Sequence, residues 1–511
     1  MSHLTEFARR LIGAVKSGEI STRAQIQDRK LKLCAELKLK TVPPNSEILA
    51  QVSSEDRELL LPLLLKKPMR TASGTAVVAV MSSPHACPHG KCTFCPGGVD
   101  ANTPQSYTGK EPAARRAGRN DYDPFLQTKD RIEQLDAIGH DTSRIDLIVM
   151  GGTFTNRDFD YQEWFVRRCF DAMNDTVSED LKTAQDINEL SDHKCVSLAI
   201  ETRPDSFNNE EAEHVMRLGG TRIELGVQIL DDEILEAVNR GHDTKDIIEA
   251  TKVAKEYGLC VGYHIMPGLP GSDPSKDIGS FRRIFSEPEF RPDSFKFYTT
   301  LVIPGTRLYE MWADGEYLPY DTETASKVLS EMKTIVPEYV RIQRIQRDIP
   351  TTEIAAGIMN SNLRQIVRKY MDDNGVRCRC LRCREAGHTD REPIDPEDAE
   401  FKVKEYEASG GMEYFITFEH EDSIIAYMRL RMDGDVASIR EIKVSGSLTR
   451  TSGPGTWQNR GYNRLLAEKA EEFAKASGAT MLRATCGPGD RGFYRDIGYE
   501  LERPYMVKRL S

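Results

Sequence analysis

The chain has 511 residues and a net charge of −11, with 39% hydrophobic and 29% charged residues. It is too long for one ordinary domain and apolar enough to bury real cores, so neither a lone small module nor a disordered chain fits. Its densest apolar run, Leu59 to Leu65, is far short of the roughly 20 residues that cross a bilayer; Met1-Ser2-His3-Leu4-Thr5-Glu6 has no signal-peptide pattern; and 11 cysteines, unevenly spread, argue against a secreted disulfide framework, so a cytoplasmic protein is expected.

Residues 1–70 are expected to be helical. Leu4, Phe7, Leu11 and Ile12 fall at helical spacing, and Pro43-Pro44 breaks the run. The segment holds 13 Lys and Arg against 8 Asp and Glu, a net of +5 that leaves −16 on the rest. A basic segment on an acidic chain is the footprint of a polyanion contact, although a solvated helix has the same composition. Arg9, Arg10, Lys16, Arg23, Arg29, Lys30 and Lys32 are the candidate contacts.

From 71 to 345 short apolar or β-branched runs alternate with helical stretches. The runs are Thr75–Met81, Ile145–Met150, Val196–Glu201, Arg222–Gln228, Cys260–Met266 and Ser294–Leu301. Such alternation predicts a parallel sheet with crossover helices. Six units predict an α/β fold, an incomplete (β/α)6 barrel, whose chemistry sits in the loops after the strands. Cys87-x4-Cys92-x2-Cys95 follows the first strand directly. Three thiolates on one loop suit three irons of a [4Fe–4S] cube and leave the fourth iron open. That iron can chelate S-adenosylmethionine (SAM), whose one-electron cleavage gives a 5′-deoxyadenosyl radical. Gly151-Gly152, after the second strand, allow backbone to approach the SAM amino group. Glu201 and Arg203, after the third, are candidates for its ribose and carboxylate. Together these features form the pattern of the radical SAM superfamily.

Residues 346–398 read as a polar connector. Cys378-x-Cys380-x2-Cys383 places three soft ligands together, which favours tetrahedral zinc. His388 is the nearest fourth candidate, and Arg377, Arg379, Arg382 and Arg384 add positive charge.

From 399 to 511 the pattern changes to consecutive strands, Tyr414–Glu419, Ile424–Arg431 and Ala437–Val444. A helix over Arg460–Ser477, a strand over Thr480–Cys486 and a helical turn over Gly492–Ile497 follow. Gln458-Asn459-Arg460-Gly461-Tyr462-Asn463 at the helix start resembles the GNAT acetyltransferase motif, in which N–H groups of a helix N-terminus bind the pyrophosphate of CoA. Asn463 stands where Gly or Ala is usual. The strand before it, Arg440 to Val444, is expected to pair with pantetheine amides, and Tyr494 sits where such enzymes place a tyrosine near the thioester sulfur.

A radical SAM barrel followed by a GNAT domain is a rare pairing. With Cys87-Pro88-His89-Gly90-Lys91-Cys92-Thr93-Phe94-Cys95-Pro96-Gly97-Gly98, Gln105-Ser106-Tyr107-Thr108-Gly109, Met150-Gly151-Gly152-Thr153-Phe154, Gln346-Arg347-Asp348-Ile349-Pro350 and Pro504-Tyr505-Met506-Val507-Lys508, the chain resembles the catalytic subunit of Elongator in its archaeal or bacterial stand-alone form. The resemblance implies an acyltransferase that makes 5-carboxymethyluridine at the tRNA wobble position from acetyl-CoA. The implied radical takes hydrogen from the acetyl methyl, the carbon radical adds to C5 of uridine, and the thioester is hydrolysed. The resemblance also implies acetyl-CoA contacts at Arg144, at Glu441, Ile442, Lys443 and Val444, at Tyr462, Asn463 and Arg464, and at Tyr494, with Phe493 where the family often has a second tyrosine. A zinc site between the modules is a further family feature. The tRNA anticodon loop and an electron donor are the implied partners, with room for a homo-oligomer and none for a membrane. The competing readings are a protein lysine acetyltransferase and a non-catalytic tRNA scaffold.

Overall fold

The computed structural model describes residues 3–65, 71, 73–388, 393–446, 457–458 and 460–510. Asn459 of the helix-opening motif therefore lies outside the described residues, and so does the side chain of His388. No described helix is long and apolar enough to cross a membrane.

Helices α1 (His3–Lys16), α2 (Arg23–Glu36), α3 (Asn45–Leu49) and α4 (Ser54–Leu64) enclose their own core, with Phe7, Leu11, Ile26, Leu33 and Ile48 fully buried. Thr22 and Gln25 cap α2 reciprocally, which satisfies two otherwise orphaned N–H groups. Several of the basic candidates have partners inside this unit. Arg9 and Arg10 pair with Glu6, Lys16 with Asp56 and Arg29 with Glu36. Lys30 is buried against Asn45, and the Arg23 guanidinium donates to the Pro62 carbonyl.

Seven parallel strands follow: β1 (Ala76–Met81), β2 (Arg144–Met150), β3 (Lys194–Thr202), β4 (Arg222–Gln228), β5 (Cys260–Ile265), β6 (Ser294–Phe297) and β7 (Arg341–Ile345). Their order in the sheet is their order in the chain, and β1 and β7 are the free ends of an open barrel. Six strands are evident from sequence; β7 is not, because only Ile342 and Ile345 of Arg-Ile-Gln-Arg-Ile are buried. Outward positions such as Leu147, Val149, Ile223 and Leu225 pack under the helices. Inward positions on β3 to β6 include Glu201, Glu224, His264 and Lys296, unlike the branched aliphatics that fill a closed barrel.

The C-terminal sheet is β8 (Glu400–Ala408), β9 (Gly411–His420), β10 (Ser423–Asp433), β11 (Val436–Val444), β12 (Met481–Ala484), β13 (Glu500–Glu502) and β14 (Tyr505–Arg509), in the order β13-β14-β12-β11-β10-β9-β8. β11 and β12 are parallel, and the other pairs are antiparallel. Helix Tyr462–Ala476 buries Leu466, Ala470 and Ala474. β8 escapes sequence reading because it is an exposed edge strand rich in Lys and Glu, a composition that discourages edge-to-edge pairing.

This sheet seats against the N-terminal ends of the barrel strands. Arg440 of β11 reaches Asp293, just before β6, at 2.7 Å and Glu413 at 2.7 Å; Lys255 and Arg431 also bind Glu413, and Arg429 binds Asp293. All six side chains are nearly or fully buried. Burial works against the Asp293 carboxylate, but Arg440, Lys255 and Arg429 outweigh it and hold the carboxyl well below its ordinary range. Removing one partner strands the others without solvent. Asp293→Asn is expected to cost about 3–5 kcal/mol, read as a lowered thermal midpoint of the full chain.

Candidate active site

β1 ends at Met81, and the loop beyond it carries Cys87, Cys92 and Cys95 across the C-terminal mouth of the barrel. Neighbouring loops surround each sulfur. Cys87 Sγ lies 3.4 Å from Thr153 Oγ1, and Cys95 Sγ lies 3.2 Å from Ser106 Oγ. Cys92 Sγ meets His89 Nε2 at 3.2 Å and the Arg240 guanidinium at 3.5 Å. Burial pushes the Cys87 thiol up and the Cys95 thiol up to about 11, so their thiolate forms call for a cationic partner. Three thiols on one shielded loop suit three irons of a multi-iron cube.

The glycine pair lies against this loop. Gly151 has φ 129°, and a Cβ there would fall 2.2 Å from Ser82 Oγ; Gly152 has φ 93° with Gln105 Cβ 3.1 Å from its own would-be Cβ. Backbone can thus approach where a side chain cannot. Arg203 binds Asp205 through two hydrogen bonds, at 2.9 and 2.7 Å, and contacts His89. Burial and the positive charges of Arg203 and Arg240 push His89 down to about 4, so its ring is neutral at pH 7.

Beneath the loop lies a charged layer that sequence reading captured only at Glu201. Tyr107 donates to Glu201 Oε2 at 2.9 Å, and Lys296 of β6 donates to Glu201 Oε1 at 2.9 Å and also contacts Glu224 of β4. β3 and β6 are separated by two strands, so this link spans the barrel interior. His264 Nε2 lies 3.0 Å from Glu224 Oε2 and 4.0 Å from Glu201 Oε1. Of three donors that would suit a metal, Glu201, Glu224 and His264, the two carboxylates are instead bridged by the Lys296 ammonium. Burial opposes the Glu224 carboxylate, but Lys296 and the His264 hydrogen bond hold its carboxyl well below the ordinary range. A lone charge inside an apolar strand, as in Ser-Phe-Lys-Phe, was the available signal.

At the opposite end, Arg144, the first residue of β2, binds Asp490 at 2.7 Å across the module boundary. Arg222 of β4 bridges Asp146 and Glu224, and the charges of Glu441 and Lys443 on β11 act on this lower layer. Gly461 takes the left-handed conformation, φ 83°, and opens the helix at Tyr462. Gln458 Nε2 donates to the Val444 carbonyl at 2.6 Å, which ties the helix start to the end of β11. Ile442 is half-buried, and Asn463 Oδ1 is buried with no hydrogen-bond partner among the described residues. Arg464 is exposed. Tyr494 is buried in the core of this sheet, its ring 5.3 Å from that of Tyr499, with Phe493 against it.

The sulfurs of Cys378, Cys380 and Cys383 all lie within 4.8 Å of one another. Mutual hydrogen bonds among the thiols push Cys378 up and Cys383 down. Arg379 and Arg384 are engaged with Glu338 and Asp422, and Arg384 also with Glu419.

Family profiles match in the same order. The ELP3 N-terminal domain matches residues 3–72, the radical SAM superfamily 81–280, the radical SAM C-terminal domain 292–373 and the GNAT acetyltransferase family 381–499. The chain is 49% identical over 490 residues to the tRNA uridine(34) acetyltransferase of Methanocaldococcus jannaschii, covering 92% of this chain and 91% of that one. It is 39% identical over 506 residues to human Elongator complex protein 3, covering 94% and 92%. The solved Methanocaldococcus infernus Elp3 with an N-terminal deletion (1–46) superposes with TM-score 0.76 and 44% identity, covering 86% of this chain and all of that one.

Proposed function

This chain belongs to the family of Elongator complex protein 3 and the tRNA uridine(34) acetyltransferases, and on that premise we propose that it carboxymethylates C5 of the wobble uridine of tRNA, using acetyl-CoA and radical SAM chemistry. The observation that carries the reading is a three-thiol loop and a CoA-type helix start at opposite ends of one open barrel, locked together by buried ion pairs. When bound, the cluster with SAM supplies a 5′-deoxyadenosyl radical.

In this reading Cys87, Cys92 and Cys95 ligate the cluster, Gly151 and Gly152 accept the SAM amino group at their backbone, and Glu201 and Arg203 position its ribose and carboxylate. Glu441, Ile442, Lys443 and Val444 pair with pantetheine, Gln458 fixes the helix start, and the N–H groups from Gly461 through Tyr462, Asn463 and Arg464 receive the pyrophosphate. Arg144 guards the lower entrance, and Tyr494 supports the thioester sulfur as acetyl-CoA first docks on the sheet, before its acetyl end passes up the barrel to the mouth. The helices of residues 1–70 hold tRNA phosphates. The test is anaerobic incubation with tRNA, SAM, acetyl-CoA and a reductant, followed by nucleoside mass spectrometry. 5-Carboxymethyluridine is expected; unmodified uridine with a fully loaded cluster, or acetylated lysine in its place, overturns the reading.

Zinc at Cys378, Cys380 and Cys383 is part of the proposal, as a structural site that ties residues 346–398 to β9 and the turn after it through Arg384. Structural zinc contributes folding free energy directly. Elemental analysis should find one zinc per chain, and Cys380→Ser should remove it and lower the thermal midpoint. A protein purified without chelator that contains no zinc would falsify the assignment.

A further inference from the structure

The radical chemistry proposed above fixes where the thioester must be when it reacts. The acetyl methyl has to lie at the mouth under the Cys87–Cys95 loop, and the carbonyl is one bond from that methyl. The base that hydrolyses the thioester must therefore sit in the barrel beneath the mouth. Groups of the acetyltransferase sheet lie at the far end of the strands.

The layer under the loop presents five ionisable side chains that face one another from five elements: Tyr107 from the loop segment, Glu201 from β3, Glu224 from β4, His264 from β5 and Lys296 from β6, with the Tyr298 ring 5.4 Å from that of His264 and Arg222, also on β4, on the other oxygen of Glu224. Glu201 already accepts from both Tyr107 and Lys296. Lys296 has burial against its charge, yet Glu201 and Glu224 outweigh this and keep it an ammonium, without a lone pair. Burial and the Glu201 charge push the Tyr107 phenol up, so it stays protonated. His264 differs. An ionised carboxylate can only accept, so the 3.0 Å contact places the Nε2 proton of His264 on the Glu224 side. With Nε2 committed to Glu224, Nδ1 is the nitrogen whose lone pair an uncharged ring would offer, and 13% of the side chain remains accessible. A carboxylate that fixes the tautomer of an imidazole is the arrangement by which histidine becomes a general base.

We propose that His264 is the base that activates water for hydrolysis of the acyl thioester, with Glu224 and Lys296 as positioning residues; the proposal rests on the function proposed above. In the step, water oxygen bonds to the thioester carbonyl carbon and its proton moves to His264 Nδ1. The C–S bond then breaks, its electron pair leaves on sulfur, and His264 returns the proton to that sulfur. The products are the carboxymethyl group as a carboxylate, free CoA thiol and one proton released to solvent.

The test is the pH profile of tRNA-dependent CoA release by the cluster-loaded full chain, with 5′-deoxyadenosine and nucleoside products measured in parallel. The wild-type rate should fall on the acid side as the base is protonated. His264→Gln should lower CoA release by about 10²-fold or more, remove that acid limb, and leave a uridine still joined to CoA through its thioester, visible by mass spectrometry. Glu224→Gln keeps the shape but removes the carboxylate that favours the imidazolium, so the acid limb should move to lower pH. A His264→Gln rate that falls equally at every pH in step with thermal stability, an unmoved limb in Glu224→Gln, or the absence of the thioester-linked nucleoside overturns the assignment. A wild-type protein that releases no 5′-deoxyadenosine overturns instead the radical reading beneath it.

Discussion

Cys95→Ala should reduce 5′-deoxyadenosine release to background and bring the iron content of the reconstituted protein close to zero. Cys95 is the most enclosed of the three loop thiols, 4% exposed. Its sulfur lies beside Ser106 Oγ, and burial holds the free thiol up at about 11. At neutral pH such a thiol becomes a thiolate only with a cation against it, and alanine can ligate nothing. Two remaining cysteines leave two irons of a cube without protein ligands, and such a cube does not persist. Overall fold should survive, because the loop is also held by the Thr93 N–H donating to the Val238 carbonyl and by Asn239 donating to the Lys91 carbonyl. Measuring secondary structure by circular dichroism alongside iron separates cluster loss from unfolding. A Cys95→Ala protein that cleaves SAM at the wild-type rate would remove the basis of the radical reading.

Deleting residues 1–70 should weaken tRNA binding and flatten its dependence on salt. Pairing with Glu6, Asp56, Glu36 and Asn45 engages Arg9, Arg10, Lys16, Arg29 and Lys30, whereas Lys32, Lys38 and Lys40 are exposed on the same unit. Surface pairs are worth little and exchange readily with phosphate. With four phosphate contacts and about −0.7 per contact on single strands, the log–log slope should change by about 3. The four helices have a separate core, so their removal should leave the barrel intact; the Methanocaldococcus infernus relative was solved with residues 1–46 deleted. Filter binding across a salt series reads both affinity and slope. Equal slopes with and without the segment would reduce it to a helical cap, and the wobble base would then be gripped elsewhere.

What sequence disclosed and what it hid divide along a physical line. Cys87, Cys92 and Cys95, Gly151 and Gly152, and Gly461 with Tyr462 are legible because each is a local device: a loop after a strand, or a turn into a helix. β7 and β8 are hidden because charged and polar residues interrupt both, so neither gives an apolar run. The lower half of the site is hidden for another reason. Glu224, His264 and Lys296 meet only once three strands have paired, and Asp293 meets Arg440 across 147 positions. Arg440 itself lay in the strand expected to pair with pantetheine, yet its side chain is spent joining the modules. The basic run around Cys378 to Cys383 invites a nucleic-acid reading, but Arg379 and Arg384 already have carboxylate partners.

The free ends at β1 and β7 have a mechanical consequence. A closed eight-stranded barrel is a hoop, and widening it breaks a ladder of backbone hydrogen bonds. A sheet that stops at seven behaves as a clip, because its seam can spread without breaking any bond between neighbouring strands. A long polymer can enter such a clip sideways, where a hoop would have to be threaded from an end. The two lips of that seam, the loop that follows β1 and the segment that follows β7, are joined by the Arg347 guanidinium donating to the Ser106 carbonyl, so that contact is the latch an entering polymer would have to displace.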